Sequence, residues 1–242
     1  MEDEFQGFTA ESFAFFRELA RNNSKLWFDQ NRSRYDQHVV GTMRGLLQAL
    51  EPAVLKLNSH FETSGRTGSN LSRINRDIRF SKDKTPYKSN FYLRVHDSRR
   101  EEGNLYVGLS AECVTAGFAI YGGWGEADAD SLRATFRKRF ASHAKVFREL
   151  VDRIVRGRYE TYWHRKEKND WAQHPGLPRS EESWLTLHAW IVRKVFLPGS
   201  RRVSTPAFAK QVERIWTELY PLYVFTSSPS PNWKRELASA SR

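Results

Sequence analysis

Three short segments rich in aromatic and β-branched residues constrain the fold most, because they follow one another between two helical regions. These segments are residues 91–95, 105–109 and 114–121, and turn-like residues such as Asp97-Ser98 and 102–104 separate them. Runs of this composition and length are typical of β-strands. They predict an antiparallel sheet with meander connections.

Helical periodicity lies on both sides of these strands. Thr9 and Ser24 are candidate N-caps for apolar patterns that continue to about residue 57. Later, Ser180 begins a pattern that reaches Val195, and Thr205-Pro206 is a strong helix start. The order helices, strands, helices predicts an α+β fold, with the sheet packed against N-terminal and C-terminal helices. We expect one domain over residues 1–226 and a loosely ordered tail over 227–242.

The composition excludes several classes of protein. Hydrophobic residues make up 39% of the chain, which is enough for a core and argues against general disorder. No stretch approaches the roughly 18 apolar residues that span a bilayer, and the first residues are acidic rather than basic. A single cysteine, Cys113, rules out an internal disulfide framework. We therefore expect a cytoplasmic protein with no membrane partner.

The positive charge is concentrated in the middle of the chain. The formal net charge is +11, and residues 133–168 carry twelve Lys or Arg against four Asp or Glu. Residues 73–88, called the basic segment below, carry six against two. An excess of this kind attracts polyanions. The histidines show no metal-ligand spacing, so we predict no metal site, and no motif identifies a cofactor.

The basic segment predicts an anion site, because arginine offers a two-point donor fork and lysine a mobile charge. If the segment is helical or 3₁₀, the side chains of Arg73, Arg76 and Arg79 face one way, whereas in an extended segment they alternate. The candidate ligand-binding residues are Arg73, Arg76, Arg79, Lys82, Lys84, Tyr87 and Lys88.

The same segment resembles the signature of the domain-of-unknown-function family 2461, a conserved hypothetical family. The core Arg-Asp-x-Arg-Phe-Ser-Lys-Asp-Lys-x-Pro-Tyr-Lys stands at 76–88. Upstream, Gly7-Phe8-Thr9, Asn22-Asn23, Trp27-Phe28, Asn31 and Tyr35 follow the family's order. The resemblance covers about residues 5–125. It implies a fold and a site in the basic segment, and no activity.

Three functions remain open. The first is binding of an anionic ligand, either a nucleic acid or a phosphorylated molecule. The second is an enzyme acting on a phosphate or carboxylate substrate, for which Asp77, Asp83 and His96 are the candidate catalytic residues. The third is a structural or interaction protein in which the basic segment is an internal salt-bridge staple.

A second cationic region mixes aromatic and basic side chains. Tyr159, Tyr162 and Trp163 lie among Arg158 and residues 164–168. Aromatic rings among cations suit stacking on single-stranded bases. An edge strand with a solvated basic face has the same pattern, and we favour that interpretation.

Overall fold

The N-terminal region is a helical layer. The computed structural model describes residues 4–79, 83–121, 134–167 and 170–241. Phe13, Phe16 and Leu19 are buried on one face of the first helix, as the apolar spacing predicts. The helices here are α1 (Ala10–Arg21), α2 (Lys25–Gln30), α3 (Arg32–Tyr35), a π-helix (Asp36–Gly41) and α4 (Thr42–Leu57). From α3 to α4 they follow one another directly along the chain.

A six-stranded antiparallel sheet follows, with strand order β1-β2-β3-β6-β4-β5. Its strands are β1 (Asn90–Asp97), β2 (Arg100–Ser110), β3 (Val114–Tyr121), β4 (Glu160–Glu167), β5 (Asp170–Pro175) and β6 (Ala189–Phe196). β4 pairs with both β5 and β6; Trp163 lies opposite His174 on one side and Trp190 on the other. The predicted α+β class and antiparallel sheet are confirmed.

Four helices of the described C-terminal residues accompany the later strands. They are α5 (Ala134–Ile154), α6 (Glu181–Thr186), α7 (Ala207–Ser227) and α8 (Trp233–Ala240). α5 has a non-helical residue, His143, in its interior. Within the described residues, no helix has the length and apolar character needed to cross a membrane.

The chain divides into two compact units. The first consists of Met1–Val95, Tyr106–Thr115 and Val195–Glu213. Its aromatic core includes Phe15, which contacts Phe28 and Tyr35 edge-on or tilted. The second consists of His96–Leu105, Ala116–Lys194 and Arg214–Arg242. Its core includes the ring cluster of Phe147, Trp184 and Trp190.

The predicted helix from Ser180 to Val195 is wrong in its second half. Ser180 does cap a helix, and its side chain accepts a hydrogen bond from the Ser183 N–H at 3.1 Å. That helix ends at Thr186, and β6 follows. Residues 189–192 are buried consecutively, which a strand inside a sheet requires and which imitates helical spacing in the sequence.

Regular structure also covers two further segments of the C-terminal region. β5 (Asp170–Pro175) lies in a polar, proline-containing stretch of the sequence. α8 lies within the predicted tail, and its Glu236 accepts hydrogen bonds from Tyr220 at 2.7 Å and Ser228 at 2.9 Å.

Candidate functional site

The buried side chain of Asn70, three residues before the basic segment, binds backbone groups of three other residues. Its amide nitrogen donates to the carbonyls of Glu62 and Arg94 at 2.7 and 2.9 Å, and its oxygen accepts from the Gly65 N–H at 2.8 Å. The neighbouring Leu71 pairs with Leu93 of β1 in an isolated antiparallel bridge. These contacts fix where the basic segment leaves the sheet.

The two ends of the basic segment are extended and pair with each other. Asn75 and Tyr87 form an antiparallel bridge. It is flanked by hydrogen bonds from the Arg76 N–H to the Pro86 carbonyl and from the Lys88 N–H to the Ile74 carbonyl, at 2.8 and 2.9 Å. Because side chains alternate along an extended chain, neighbouring residues here point to opposite sides. The ends of the basic segment thus follow the extended alternative, in which the side chains of Arg73, Arg76 and Arg79 do not all lie on one face.

Two of the segment's arginines form ion pairs within the segment. The guanidinium of Arg79 binds Asp77 with two hydrogen bonds, at 3.0 and 2.7 Å. These contacts lower the pKa of Asp77 to about 2. Arg76 contacts Asp83 at 3.1 Å. The side chain of Arg79 is 77% exposed and that of Arg76 is 29% exposed, so only the second pair is partly shielded from water.

The segment's lysines donate to backbone carbonyls. Lys84 Nζ lies 2.9 Å from the Ile78 oxygen, and Lys88 Nζ lies 3.0 Å from the Arg73 oxygen. Lys82, which the sequence also predicts as a ligand-binding residue, lies outside the described residues.

Tyr87 connects the segment to the N-terminal helices. Its backbone N–H and carbonyl both bind the side-chain amide of Asn23, at 3.0 and 2.9 Å. Its ring stacks on Phe28 of α2 with the centroids 4.2 Å apart. Both rings are buried. Asn23 and Phe28 belong to the upstream part of the family signature and Tyr87 to the basic segment, so the two parts of the signature are in contact here.

A pocket of about 290 Å³ lies beside this contact, and we call it the arginine pocket. Three of its lining residues are Arg32, Arg44 and Arg73. The others are Phe28, Tyr35, Asp36, Val40, Thr67, Ile74, Asn75 and Tyr87. The pocket lies within the first unit and combines cations with hydroxyl and amide groups.

The π-helix brings Arg32 and Arg44 to the same pocket. In an uninterrupted α-helix, a rotation of about 100° per residue would leave them about 120° apart. A π-helical turn takes up one residue more than an α-helical turn, which reduces the difference to about 20°. As a result Arg32, Asp36, Val40 and Arg44 line one pocket at a spacing of four.

The charges of the pocket act on the buried phenol of Tyr35. Burial raises the pKa of Tyr35 above its usual value, and the carboxylate of Asp36 raises it further. The positive charges of Arg44 and Arg32 oppose both effects. The phenol therefore keeps its proton at neutral pH and remains a hydrogen-bond donor.

A comparison with known families gives one match. The family model described as "Conserved hypothetical protein (DUF2461)" matches residues 11–225. The chain belongs to the DUF2461 family. The match extends well beyond residue 125, where the resemblance noted in the sequence ends. No curated protein and no solved structure matches the chain.

The candidate catalytic residues of this DUF2461 protein do not meet in the arginine pocket. Asp77 pairs with Arg79, and Asp83 accepts hydrogen bonds from the N–H and hydroxyl of Thr85 at 2.9 and 2.8 Å. Those bonds, with a smaller effect of Arg76, lower the pKa of Asp83. His96 is buried with Nδ1 3.2 Å from the Asp97 oxygen, and it belongs to the second unit. The described residues contain no group of three or more potential metal ligands.

The structure brings Arg73 and Tyr87 of the predicted site together with residues that sequence reasoning missed. Arg32, Arg44 and Thr67 line the pocket although none belongs to the basic segment. The repeated spacing of four from Arg32 to Arg44 was the available signal. In an ordinary α-helix this spacing would not place Arg32 and Arg44 on one face, so the signal has meaning only when a π-helix is expected between them.

The aromatic rings of the second cationic region contact other side chains of the protein. Trp163 stacks on His174 with the centroids 4.4 Å apart, and the guanidinium of Arg193 lies 5.0 Å from the ring of Tyr162. Tyr159 donates a hydrogen bond to Glu218. β4 is also an inner strand rather than an edge strand, because β5 covers its outer side.

Proposed function

We propose that this protein binds a small phosphorylated molecule in the arginine pocket. The observation that supports this most strongly is that three arginines, Arg32, Arg44 and Arg73, line one cavity. A single carboxylate among the lining residues, that of Asp36, offsets them. Guanidinium groups recognise phosphate oxygens with paired N–H donors, so three of them suit a group with several oxygens.

The hydrogen bonds of these arginines leave donors for a ligand. Among the described residues, the guanidinium of Arg73 makes no hydrogen bond or ion pair. Arg44 makes one long contact, from Nε to the Gly65 oxygen at 3.4 Å. Arg32 reaches Asp29 with one nitrogen at 3.1 Å and lies over the ring of Phe28. Each arginine therefore keeps N–H groups that can turn to an anion.

The size of the pocket favours a small ligand over a nucleic acid. Its volume of about 290 Å³ lies just below the range of roughly 300–1,000 Å³ that is usual for small-molecule sites. Arg76, Arg79, Lys84 and Lys88, which a nucleic-acid backbone would need to contact, each have a partner within the segment.

Titration calorimetry with a panel of phosphate compounds tests this proposal. The panel contains inorganic phosphate, pyrophosphate, sugar phosphates and nucleoside mono-, di- and triphosphates, each at constant ionic strength. We expect at least one compound to bind, and Arg73→Met to weaken that binding about tenfold or more, equal to about 1.4 kcal/mol or more.

Arg79→Met is the matched control. It removes one positive charge from the same segment, but Arg79 does not line the pocket. The control should bind like the wild type. If both variants weaken binding equally, the ligand responds to overall charge and the pocket is not the site. A short oligonucleotide provides the nucleic-acid arm; steep salt dependence with no phosphate compound bound would replace the proposal by nucleic-acid binding.

A further inference from the structure

A second cavity, of about 860 Å³, lies within the second unit beside α5, and we call it the α5 cavity. Its walls come from α5, from the turn and strand that follow α5, and from residues 176–184. It shares no lining residue with the arginine pocket. Its volume lies within the range of roughly 300–1,000 Å³ that is usual for small-molecule sites. The α5 cavity is therefore large enough for an organic ligand.

The inner part of the α5 cavity is apolar. Val151 and Val155 line it from the α5 side, and Pro178 and Trp184 line it from the other. All four side chains are buried in the protein. A ligand that enters this part removes apolar surface from water, which favours binding of an apolar body.

The polar side chains at this depth already have partners. The hydroxyl of Tyr159 donates a hydrogen bond to Glu218. The hydroxyl of Thr161 donates to the Ile191 carbonyl at 2.9 Å and accepts from the Trp190 indole N–H at 2.7 Å. Both residues line the cavity, yet neither hydroxyl needs a ligand to complete its hydrogen bonds. The inner part therefore does not select a polar ligand.

The charged residues of the α5 cavity have exposed side chains, and they are unequal in number. Arg148 is paired with Glu181, and Arg156 binds Asp152 through Nε at 2.7 Å. The side chains of these two arginines are 49% and 69% exposed, which places them at the rim. Arg179 is also exposed, and its guanidinium has no hydrogen-bond or ion-pair partner among the described residues. Three arginines against two carboxylates leave one positive charge, that of Arg179.

We infer that the α5 cavity binds an organic acid that has one carboxylate and a large apolar body. Arg179 offers paired N–H donors, which match a carboxylate in a two-point contact. The apolar body then lies against Val155 and Trp184. The inference goes beyond the proposed function, because the site is a different cavity and takes a different class of ligand.

The indole N–H of Trp184 provides a local readout, since this residue lines the cavity. Its signal in a ¹H–¹⁵N spectrum is identified with Trp184→Phe, and three compounds are titrated at constant ionic strength. Naphthoate combines the rings with the carboxylate, naphthylmethanol has the rings without the charge, and acetate has the charge without the rings. We expect naphthoate to shift the Trp184 signal to saturation and each of the other two to bind about tenfold more weakly or less.

Two variants test the role of Arg179. Arg179→Met should weaken naphthoate binding about tenfold and leave naphthylmethanol binding unchanged, because only the first compound carries a charge. Arg153→Met is the matched control, since it removes one exposed positive charge from the same unit but does not line the α5 cavity. Equal losses in the two variants would show that naphthoate responds to overall charge, which contradicts the inference.

Failure of this inference is distinguishable from failure of the proposed function. If none of the three compounds shifts the Trp184 signal, the α5 cavity is not a site for apolar acids, whatever phosphate compounds bind elsewhere. If naphthylmethanol binds as tightly as naphthoate, the assignment of the carboxylate to Arg179 is wrong. Arg73→Met, which weakens binding in the arginine pocket, should leave naphthoate binding unchanged.

Discussion

Around the candidate site, two asparagine side chains form hydrogen bonds with backbone N–H and carbonyl groups that a neighbouring strand would otherwise bind. Asn70 binds one N–H and two carbonyl groups, and Asn23 binds both backbone groups of Tyr87. A side-chain amide carries donors and an acceptor, so it can complete the pairing of a chain that has no neighbouring strand at that position. The position of the basic segment therefore depends on two amides.

We predict that Asn70→Ala destabilises the protein strongly. The substitution leaves the Gly65 N–H and the carbonyls of Glu62 and Arg94 without this partner, and a buried unsatisfied group costs about 1–3 kcal/mol. The free energy of unfolding, measured in urea, should fall by about 3 kcal/mol. Asn22→Ala is the control, because its amide is exposed and donates to the Glu18 carbonyl within the same helical turn. Equal losses in both variants would contradict the prediction.

The pKa of Asp77 gives a second prediction for single residues. The hydrogen bonds of Arg79 lower this pKa from 3.8 to about 2. A lowered pKa means that the pair stabilises the folded state above pH 3.8 and loses that effect as the pH falls through about 2. The carboxyl carbon, followed by NMR, should titrate near pH 2 in the wild type and near its ordinary value in Arg79→Met. An unchanged midpoint in the variant would show that the pair does not form in solution.

At the scale of one element, the π-helix decides which side chains share the arginine pocket. The side chains of α4 have the angular position, relative to those of α3, that they would have in a continuous α-helix with one residue fewer. The core positions of α4, among them Met43, Leu46 and Leu50, are buried in that register. The extra residue of the π-helical turn is thus accommodated without turning the apolar face of α4 away from the core.

We predict that this helix tolerates a deletion that an ordinary helix does not. Deletion of Gln37, which is exposed, should convert the π-helix to α-helix and cost no more than about 3 kcal/mol. Deletion of Gln48, exposed in α4, turns Leu50 and Val54 by about 100° relative to Met43 and should prevent folding. Thermal denaturation followed by circular dichroism compares the two. If both deletions unfold the protein, the π-helix does not accommodate an inserted residue.

At the scale of the whole molecule, the sheet joins strands from the two halves of the sequence between β3 and β6. Gly117 of β3 allows this approach, because a Cβ atom there would lie 1.9 Å from the Val192 oxygen. That oxygen belongs to the backbone, so it cannot move aside as a flexible side chain would. The middle of the sheet therefore accepts no side chain at residue 117.

We predict that Gly117→Ala destabilises the protein by at least about 3 kcal/mol, because the added methyl group forces β3 and β6 apart. Gly157→Ala is the control. Its φ of +70° makes alanine unfavourable, but a Cβ there meets nothing within 4 Å, so we expect a loss of about 1–2 kcal/mol. Urea denaturation measures both, and a smaller loss for residue 117 than for residue 157 would refute the close contact.

The sequence allowed the first half of the fold to be predicted, but less of the second half. β1 to β3 follow from short aromatic and β-branched runs with turn residues between them. The sequence of β6 predicts a helix instead, because its consecutive buried residues also match a spacing of three and four. For the site, the basic segment pointed to Arg73 and Tyr87. Arg32 and Arg44 could not be placed beside them, since ordinary helical rotation separates the two arginines.

The two hydrogen bonds between Asn23 and Tyr87 limit how the basic segment can be grafted onto another protein. Asn75 and Tyr87 pair near the two ends of the basic segment, which makes the segment attractive for grafting onto another scaffold. Its return strand, however, takes its backbone partner at Tyr87 from a side chain far upstream, at 3.0 and 2.9 Å. A graft without an amide at the equivalent place leaves that N–H and carbonyl facing solvent. A transplantable module must therefore carry the turn between α1 and α2 together with the basic segment.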